Sequence, residues 1–357
     1  MLQLMSWQSL QANRMRREKK METILLSADA AGIEKAAELI KNGCLVGMPT
    51  ETVYGLAADA LSDEAVAEIF TAKGRPADNP LIVHIADMEK LPELAEDIPA
   101  LAYRLAERFW PGPLTMILKK KPCIPEITSG GLDTVGIRMP AHPAALELIR
   151  RSGLPLAAPS GNVSGYPSPT KAEHMMRDMN GKISAVIDGG DCTVGVESTV
   201  ISFENENTVR ILRPGGVTQE QLLEEAENVI IDPAILHELT EGQTVRSPGM
   251  KYQHYSPSAH VVMVEGDYDG FCRYVNENAG ENVYALVFDG DEGGLSVPSV
   301  KYGCSESEQA QMLFACLRDM DEKSAETVYV RAPEPEGVGL AVYNRLIRAA
   351  GFEVIQV

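Results

Sequence analysis

The sequence lacks the short signatures that mark several large classes of protein. It contains no G-x-x-x-x-G-K-[ST] phosphate-binding loop, no G-x-S-x-G nucleophile elbow and no H-E-x-x-H motif, and no Cys/His cluster has the spacing of a zinc site. It also has no uninterrupted apolar run of the roughly 18 residues that a membrane-spanning helix needs. These absences disfavour a Walker-type ATPase, a hydrolase, a metalloprotease and a membrane protein.

Cysteine is scarce and scattered. None of the six cysteines forms a C-x-x-C pair, and a chain of 357 residues does not need disulfide bonds for stability. We therefore predict a reducing, cytoplasmic environment. The first 20 residues place apolar positions ahead of a basic run, which reverses the order of a secretory signal. We interpret residues 1–21 as a disordered extension, with Met21 as an alternative start.

Charge and length set the broad organisation. A chain of 357 residues exceeds the size at which one hydrophobic core keeps growing, so two domains are expected. The net charge of −19 is uneven, because residues 223–357 carry 9 basic and 23 acidic side chains. Such an acidic surface repels phosphate backbones and argues against tight, non-specific binding of nucleic acid.

Apolar periodicity predicts an α/β protein with two different sheets. Helices and strands mix without strict alternation over residues 22–225, which predicts a twisted mixed sheet with helices packed on it. Prolines and glycines interrupt the pattern over residues 226–258, which we interpret as a linker. Residues 259–357 repeat β and α segments regularly and predict a small, open, Rossmann-like α/β domain, but no G-x-G-x-x-G follows its first strand.

Polar side chains follow a predicted buried strand in the string P-T-E-T-V-Y-G, residues 49–55. It offers hydroxyls, a carboxylate and a phenol at one turn, and α/β proteins hold ligands at such strand ends. An ordinary strand-turn-helix connection explains the same residues equally well.

Two cations stand at the end of a predicted helix, in the string K-G-R-P that begins at Lys73. Cations there suit the helix dipole, so helix capping is the simpler interpretation. The glycine between Lys73 and Arg75, with prolines nearby, would also direct both cations at a polyphosphate. His84 follows on an apolar strand, where a lone histidine is more often a satisfied core residue than a ligand.

Further strings contain an arginine and a loop of small residues. Arg138 ends a predicted buried strand and needs an anionic partner, which a substrate carboxylate would supply. The A-P-S-G-N-x-S-G loop, residues 158–165, presents hydroxyls and backbone amides, as phosphate-binding loops do. E-S-T at 197–199 and R-P-G at 213–215 follow.

In this order, the strings P-T-E-T-V-Y-G, K-G-R-P-x-x-N-P-L, G-I-R-M-P, A-P-S-G-N-x-S-G, E-S-T and R-P-G closely resemble the Sua5/YrdC family. The resemblance covers residues 24–222, whose fold would be YrdC-like. The string S-P-G-M-K-Y-Q-H-Y-S-P at 247–257 is similar to a segment of the long, two-domain Sua5 form that the short YrdC form lacks. Only the first 20 residues fall outside the family pattern.

The resemblance implies a nucleotidyltransferase. In this family L-threonine and bicarbonate form an N-carboxylated amino acid, whose carboxylate attacks the α-phosphorus of ATP and releases pyrophosphate. The product, threonylcarbamoyl-AMP, would pass to a transferase complex that modifies the adenosine next to the anticodon, position 37, of tRNAs that read A-starting codons. Mg²⁺ would accompany ATP, held largely by phosphates and waters. The linker would close over the nucleotide as a lid.

The family pattern also implies roles for individual residues. Lys73 and Arg75 would be catalytic, beside the phosphates. The residues that would bind L-threonine are Thr52, His84, Arg138, Ala158 and Ser198. The residues that would bind ATP are Arg75, Asn79, Thr134, Ser160, Ser168, Arg213, His254 and Tyr255.

Two alternatives belong to other classes. A double-stranded RNA-binding module would need an excess of basic residues over 21–222, but that region has 18 basic against 27 acidic residues. Direct tRNA binding is therefore expected to be weak or absent. A carbamoyl-transferring domain of the hydrogenase-maturation type would normally come with acylphosphatase and zinc-finger modules, and neither is present in this sequence.

Overall fold

A computed structural model describes residues 22–76, 79–237, 255–291 and 293–357. The predicted extension over 1–21, most of the predicted linker and His254 lie outside the described residues. Within the described part of the chain, no helix combines the length and apolarity needed to cross a membrane.

The N-terminal domain is a mixed sheet covered by helices. Its helices are α1 (Ala30–Lys41), α2 (Asp63–Lys73), α3 (Leu91–Leu94), α4 (Ala100–Phe109), α5 (Glu126–Ser129), α6 (Pro143–Ser152), α7 (Ala172–Met179) and α8 (Gln219–Leu222). Its strands are β1 (Ile24–Ser27), β2 (Val46–Met48), β3 (Gly55–Asp59), β4 (Ile82–His84), β5 (Ala95–Glu96), β6 (Leu114–Lys120), β7 (Thr134–Arg138), β8 (Leu156–Ala157), β9 (Ala185–Asp188), β10 (Thr199–Phe203), β11 (Thr208–Arg213) and β12 (Asn228–Ile231).

Helix α2 shows how local sequence positions the site. Ser62 caps its N-terminus by accepting a hydrogen bond from the Ala65 amide, and acidic residues occupy the first turn. Gly74 ends the helix with a φ of 63°, a left-handed conformation that glycine adopts without steric cost. This stop brings Lys73 and Arg75 to the point where the chain leaves the helix.

Strand order is β1-β9-β2-β3-β8-β4-β7-β6-β10-β11-β12, with β5 paired to β6. Parallel and antiparallel pairs both occur along it, so the predicted mixed sheet is confirmed. Strand β12 lies in the segment that we interpreted as linker, but it pairs in parallel with β11. Its four residues, N-V-I-I, are too short to display a period, and only the neighbouring strand identifies them as sheet.

The C-terminal domain is a five-stranded parallel sheet in the order β15-β14-β16-β13-β17. Its strands are β13 (His260–Glu265), β14 (Val283–Val287), β15 (Ser299–Lys301), β16 (Thr327–Arg331) and β17 (Val354–Gln356). Its helices are α9 (Tyr268–Glu277), α10 (Glu306–Glu322) and α11 (Gly339–Ala349). The open, Rossmann-like α/β domain predicted from the sequence is confirmed.

The two domains share a buried interface. Val53 and Val196 of the N-terminal domain belong to the same apolar cluster as residues of α10 and α11. Arg318 of α10 is buried and pairs with Asp178 of α7, with Nη2 2.6 Å from the carboxylate. Apolar burial and a desolvated ion pair together fix one arrangement of the domains.

Gly195 lies where the two domains approach each other closely. A Cβ atom at Gly195 would lie 2.3 Å from the Cα of Gln311 in α10, and Gly195 has a φ of +81°. Gly190 has the same φ, yet a Cβ there would meet no atom within 4 Å. A substitution at Gly190 therefore introduces backbone strain alone, whereas the same substitution at Gly195 introduces backbone strain and a clash between the domains.

We expect Gly195→Ala to lower the melting temperature more than Gly190→Ala. Both variants lose about 1–2 kcal/mol because alanine is strained at positive φ. Gly195→Ala loses about 1–3 kcal/mol more, because its methyl group forces α10 away from the N-terminal domain. Thermal unfolding of the two variants measures the difference, and equal melting temperatures would contradict the contact.

Candidate active site

One cleft lies at the ends of β4 and β7, beside the domain interface, and holds about 700 Å³ of space free of atoms when the open solvent at its mouth is included. Strands β4 and β7 are parallel, so the residues that end them lie together at one edge of the sheet. The lining residues are Thr52, Val53, Lys73, Arg75, Pro80, Leu81, Ile82, His84, Arg138, Ala158, Pro159, Ser160, Asn162, Ser164, Gly165, Glu197, Ser198, Arg213 and Tyr255.

Arg138 is buried at one end of the cleft, where it already has an anionic partner. Its Nη2 donates to Glu51 Oε1 at 2.6 Å, its Nη1 to Thr52 Oγ1 at 3.0 Å and its Nε to the Gly112 carbonyl at 3.2 Å. The sequence predicts that a substrate carboxylate is this partner, whereas in the structure Glu51 supplies a carboxylate. A guanidinium has five N–H groups, so two remain without a partner among the described residues.

His84 lies next to Arg138 and is also buried. Burial, together with the positive charge of Arg138, lowers the pKa of His84 to about 3. Its Nδ1 has no hydrogen-bond partner among the described residues. His84 is thus a neutral imidazole in the cleft wall, with an unused ring nitrogen, and differs from a satisfied core histidine.

The pKa of His84 makes stability depend on pH. Because the folded-state pKa lies below the ordinary value of 6.5, the unfolded chain binds more protons below that pH, and stability falls as pH decreases toward 3. His84 alone should cost about 2 kcal/mol between pH 8 and pH 5. We expect His84→Gln to lose correspondingly less stability over this range in urea unfolding. An unchanged pH dependence would show that His84 is not buried as a neutral group.

Lys73 holds the A-P-S-G-N-x-S-G loop. Its Nζ donates to the carbonyl oxygens of Ser160 and Asn162, the latter at 2.7 Å, and the side chain is 2% exposed. Burial, then the nearby charge of Arg75, lowers the pKa of Lys73 well below its ordinary value. The family resemblance predicts Lys73 beside the phosphates, whereas its Nζ donates to carbonyl oxygens of the loop. Its contacts are those of a residue that shapes the cleft.

Arg75 and Asn79 flank the prolines of the same string. Arg75 is half-buried and lines the cleft. Asn79 is 1% exposed, and neither its Oδ1 nor its Nδ2 has a hydrogen-bond partner among the described residues. An amide that is buried without a partner is costly, so Asn79 is suited to a ligand that completes its hydrogen bonds.

The E-S-T and R-P-G strings meet in the cleft wall. Arg213 donates to the carbonyl of Ser198 at 3.1 Å and to its Oγ at 3.2 Å. Glu197 is buried beside them, and its carboxylate accepts from Ser168 and from Arg345 of α11. Burial alone would raise the pKa of Glu197, but Arg345, Arg213 and the Ser168 hydrogen bond outweigh it and lower the pKa.

Tyr255 begins the chain that enters the C-terminal domain and closes part of the cleft. Its ring packs on Phe314 of α10, with centroids 5.2 Å apart. The following residue, Ser256, donates its amide to the Gly165 carbonyl and its hydroxyl to the Ala349 carbonyl, each at 3.0 Å. Tyr255 is therefore held between both domains.

The cleft brings together most of the residues predicted for the site: Thr52, Lys73, Arg75, His84, Arg138, Ala158, Ser160, Ser198, Arg213 and Tyr255. Three others do not line it. Thr134 starts β7, at the opposite end from Arg138, whereas Asn79 and Ser168 are buried and are not among the residues that line the cleft. Glu197 lies within the E-S-T string but was not predicted as a site residue, and no local signal in the sequence indicates Arg345.

Two family models match the chain. A model for the Sua5/YciO/YrdC group, described as "Telomere recombination", matches residues 38–215. A model described as "Threonylcarbamoyl-AMP synthase, C-terminal domain" matches residues 217–351.

Individual relatives match both domains. A threonylcarbamoyl-AMP synthase of Pyrococcus abyssi is 47% identical over 332 residues, which span 91% of this chain and 96% of the relative. The Bacillus subtilis protein of the same name is 45% identical over 341 residues, spanning 93% and 96%. The crystal structure of P. abyssi Sua5 complexed with L-threonine has a TM-score of 0.88 and 44% identity, covering 94% of this chain and 100% of that chain.

Proposed function

This chain belongs to the Sua5 family of threonylcarbamoyl-AMP synthases, in its long two-domain form, and from that premise we propose which residues of the cleft bind L-threonine and which bind ATP. The enzyme makes threonylcarbamoyl-AMP and pyrophosphate from L-threonine, bicarbonate and ATP. The observation that carries the proposed division is the charge of the cleft. Four basic side chains, Lys73, Arg75, Arg138 and Arg213, line it together with one acidic side chain, Glu197, in a protein whose net charge is −19.

One end of the cleft is suited to L-threonine. The two remaining N–H groups of Arg138 match a carboxylate, and a neutral His84 adds no second charge. The small side chains of Thr52, Ala158 and Ser198 leave room for an amino acid, and Thr52 and Ser198 also offer hydroxyls to it. We assign these five residues to threonine.

The other end is suited to ATP. Arg75 and Arg213 are arginines that line the cleft, and the loop that contains Ser160 lines it too. Tyr255 closes this end from the linker. Asn79 would complete its hydrogen bonds with the nucleotide, whereas Ser168 would act through Glu197. Thr134 and His254 stay predictions from family resemblance.

Adenylyl transfer asks a protein mainly for positioning and for cations against developing phosphate charge. The carboxylate of N-carboxylated threonine attacks the α-phosphorus, and the bond to the β-phosphate oxygen breaks as pyrophosphate leaves. Arg75 would stabilise the charge that develops on the phosphates. Lys73 would hold the loop under them through the carbonyls of Ser160 and Asn162.

Mg²⁺ is proposed to enter with ATP. No three potential metal-ligating His, Cys, Asp or Glu side chains cluster within the described ranges. The nearby carboxylates of Glu51 and Glu197 are each paired with a buried arginine. These residues fit an ion that is held by phosphates and waters, and it would supply neutralisation of the phosphate charge.

The product defines the further partners. We propose that a downstream threonylcarbamoyl transferase complex receives the adenylate for position 37 of tRNAs that read A-starting codons. Direct tRNA binding by this chain is proposed to be weak or absent, because its net charge of −19 opposes a phosphate backbone. The six free thiols support a cytoplasmic location.

Pyrophosphate release by the purified protein tests this function. Reactions contain ATP, Mg²⁺ and bicarbonate, with L-threonine, L-serine or no amino acid. We expect release that depends on threonine and responds little to serine, because Ala158 and its neighbours enclose the amino acid. Absence of release under every condition would contradict the synthase and favour a binding module, which RNA titration would then reveal.

A further inference from the structure

A single arginine of the C-terminal domain contacts three parts of the cleft wall. Arg345, on α11, is fully buried. Its Nε lies 2.9 Å from Glu197 Oε2, its Nη1 lies 2.7 Å from the Pro214 carbonyl, and its Nη2 lies 3.3 Å from the Glu197 carbonyl. Its guanidinium carbon lies 5.7 Å from the centre of the Tyr255 ring.

The partners of Arg345 are the chain neighbours of proposed substrate-binding residues. Glu197 precedes Ser198, which we assign to threonine, and Pro214 follows Arg213, which we assign to ATP. Arg213 and Ser198 are themselves hydrogen-bonded. Arg345 therefore fixes the distance between two wall segments from behind, and it does not line the cleft itself.

The fork geometry is what makes this contact specific. Only a planar guanidinium can reach a carboxylate and two carbonyls at once with fixed angles. The adjacent Asn344 supports that orientation, because its Oδ1 accepts from Nη1 at 3.0 Å while its Nδ2 donates to the Ile235 carbonyl at 2.6 Å. The side chain has no freedom to move without breaking these bonds.

We propose that Arg345 is a positioning residue for the synthase reaction, through which the C-terminal domain sets the geometry of the catalytic cleft. The C-terminal domain is then part of the catalytic apparatus, and its docking controls turnover. This inference rests on the site assignments proposed above.

The matched control is Arg348, one turn further along α11. It is also buried at the interface, where it donates to the Ala234 carbonyl at 2.9 Å, and it does not line the cleft. Arg345→Met and Arg348→Met each remove one buried guanidinium from the same helix. A purely structural role for Arg345 predicts equal effects of the two substitutions on turnover.

We expect Arg345→Met to lower kcat/KM for threonine-dependent pyrophosphate release about 100-fold, because small displacements of positioning groups have effects of this size. Arg348→Met should lower the melting temperature but retain kcat/KM within about 3-fold, since it leaves the cleft wall in place. Arg345→Lys keeps a cation near Glu197 but lacks the planar guanidinium, so its kcat/KM should lie between the values of wild type and Arg345→Met. Equal kcat/KM for Arg345→Met and Arg348→Met would overturn the proposal.

The pH profile gives a second readout that loss of packing would not change. The groups facing the Glu197 carboxylate are Arg345 from α11, Arg213 from β11, Ser168, Tyr255 and the more distant Lys73. Loss of Arg345 removes one of the groups that lower the pKa of Glu197, while burial still raises that pKa. The pKa of Glu197 should therefore be higher in Arg345→Met than in wild type, and kcat/KM of the variant should fall more as pH decreases. Adding Glu197→Gln should remove that dependence. A pH profile of Arg345→Met parallel to wild type would contradict the proposal.

Failure of this inference is distinct from failure of the proposed function. Wild-type pyrophosphate release that requires threonine establishes the function whatever Arg345 does. If wild type releases none, calorimetric titration with ATP still compares Arg345→Met with Arg348→Met. Weaker ATP binding confined to Arg345→Met would support the positioning role, whereas equal binding would overturn it. Arg345→Lys serves both assays if Arg345→Met does not fold.

Discussion

Replacement of Arg75 by alanine is expected to reduce threonine-dependent pyrophosphate release by about 10²–10³-fold, the usual cost of removing one preorganised group that stabilises transition-state charge. Arg75 lines the cleft and is positioned by Gly74, whose left-handed conformation ends α2. Its side chain is half-buried, so the melting temperature should change little. Steady-state kinetics and thermal unfolding of Arg75→Ala measure both.

Arg75→Lys is the matched variant for this prediction. It keeps the positive charge but loses the planar fork, so we expect a loss of turnover smaller than that of Arg75→Ala. Wild-type turnover by Arg75→Ala would remove Arg75 from the catalytic assignment. A loss of activity that is accompanied by a large decrease in melting temperature would instead show that Arg75 stabilises the fold.

Replacement of Arg138 by methionine should reduce both stability and activity. Arg138 and Glu51 form a buried ion pair, with exposed side-chain fractions of 5% and 8%. Loss of the arginine leaves the Glu51 carboxylate buried without a cation, which costs about 3–5 kcal/mol. It also removes the cation that we assign to the threonine carboxylate. Urea unfolding and the KM for threonine should both change.

A double variant separates these two roles. Glu51→Gln removes the uncompensated charge, and its amide oxygen can still accept from the Ala141 amide, which donates to Glu51 at 3.0 Å. Glu51→Gln combined with Arg138→Met should therefore recover part of the lost stability. It should not recover threonine-dependent turnover, because no cation returns to that end of the cleft. Recovery of both properties would show that Arg138 serves only the fold.

Local signals in the sequence were sufficient for elements whose ends are chemically marked. Helix α2 begins after Ser62 and ends before Gly74, as capping rules require, and the strand containing His84 follows from its apolar run. Strand β12 was missed because four residues without a turn signal show no period, and only its pairing with β11 identifies it as sheet.

The site shows a similar division. Ten of the predicted residues, from Thr52 to Tyr255, line one cleft. The sequence could not identify the partner of Arg138, because Glu51 is 87 positions away and each residue is also compatible with substrate contact. It assigned Lys73 to phosphates by its charge, whereas the fold directs its Nζ to loop carbonyls.

The sequence by itself determined the family, the reaction, the two-domain α/β organisation and the types of residue at the site, because the order and spacing of motifs are properties of the sequence alone. Only the tertiary structure decided which charges pair with one another and which remain for substrates. Pairs such as Glu51 with Arg138, or Glu197 with Arg345, depend on packing between distant segments of the chain. Glu197 and Arg345, for example, are 148 positions apart. Burial then sets the pKa of each group, and no local pattern encodes burial of that kind.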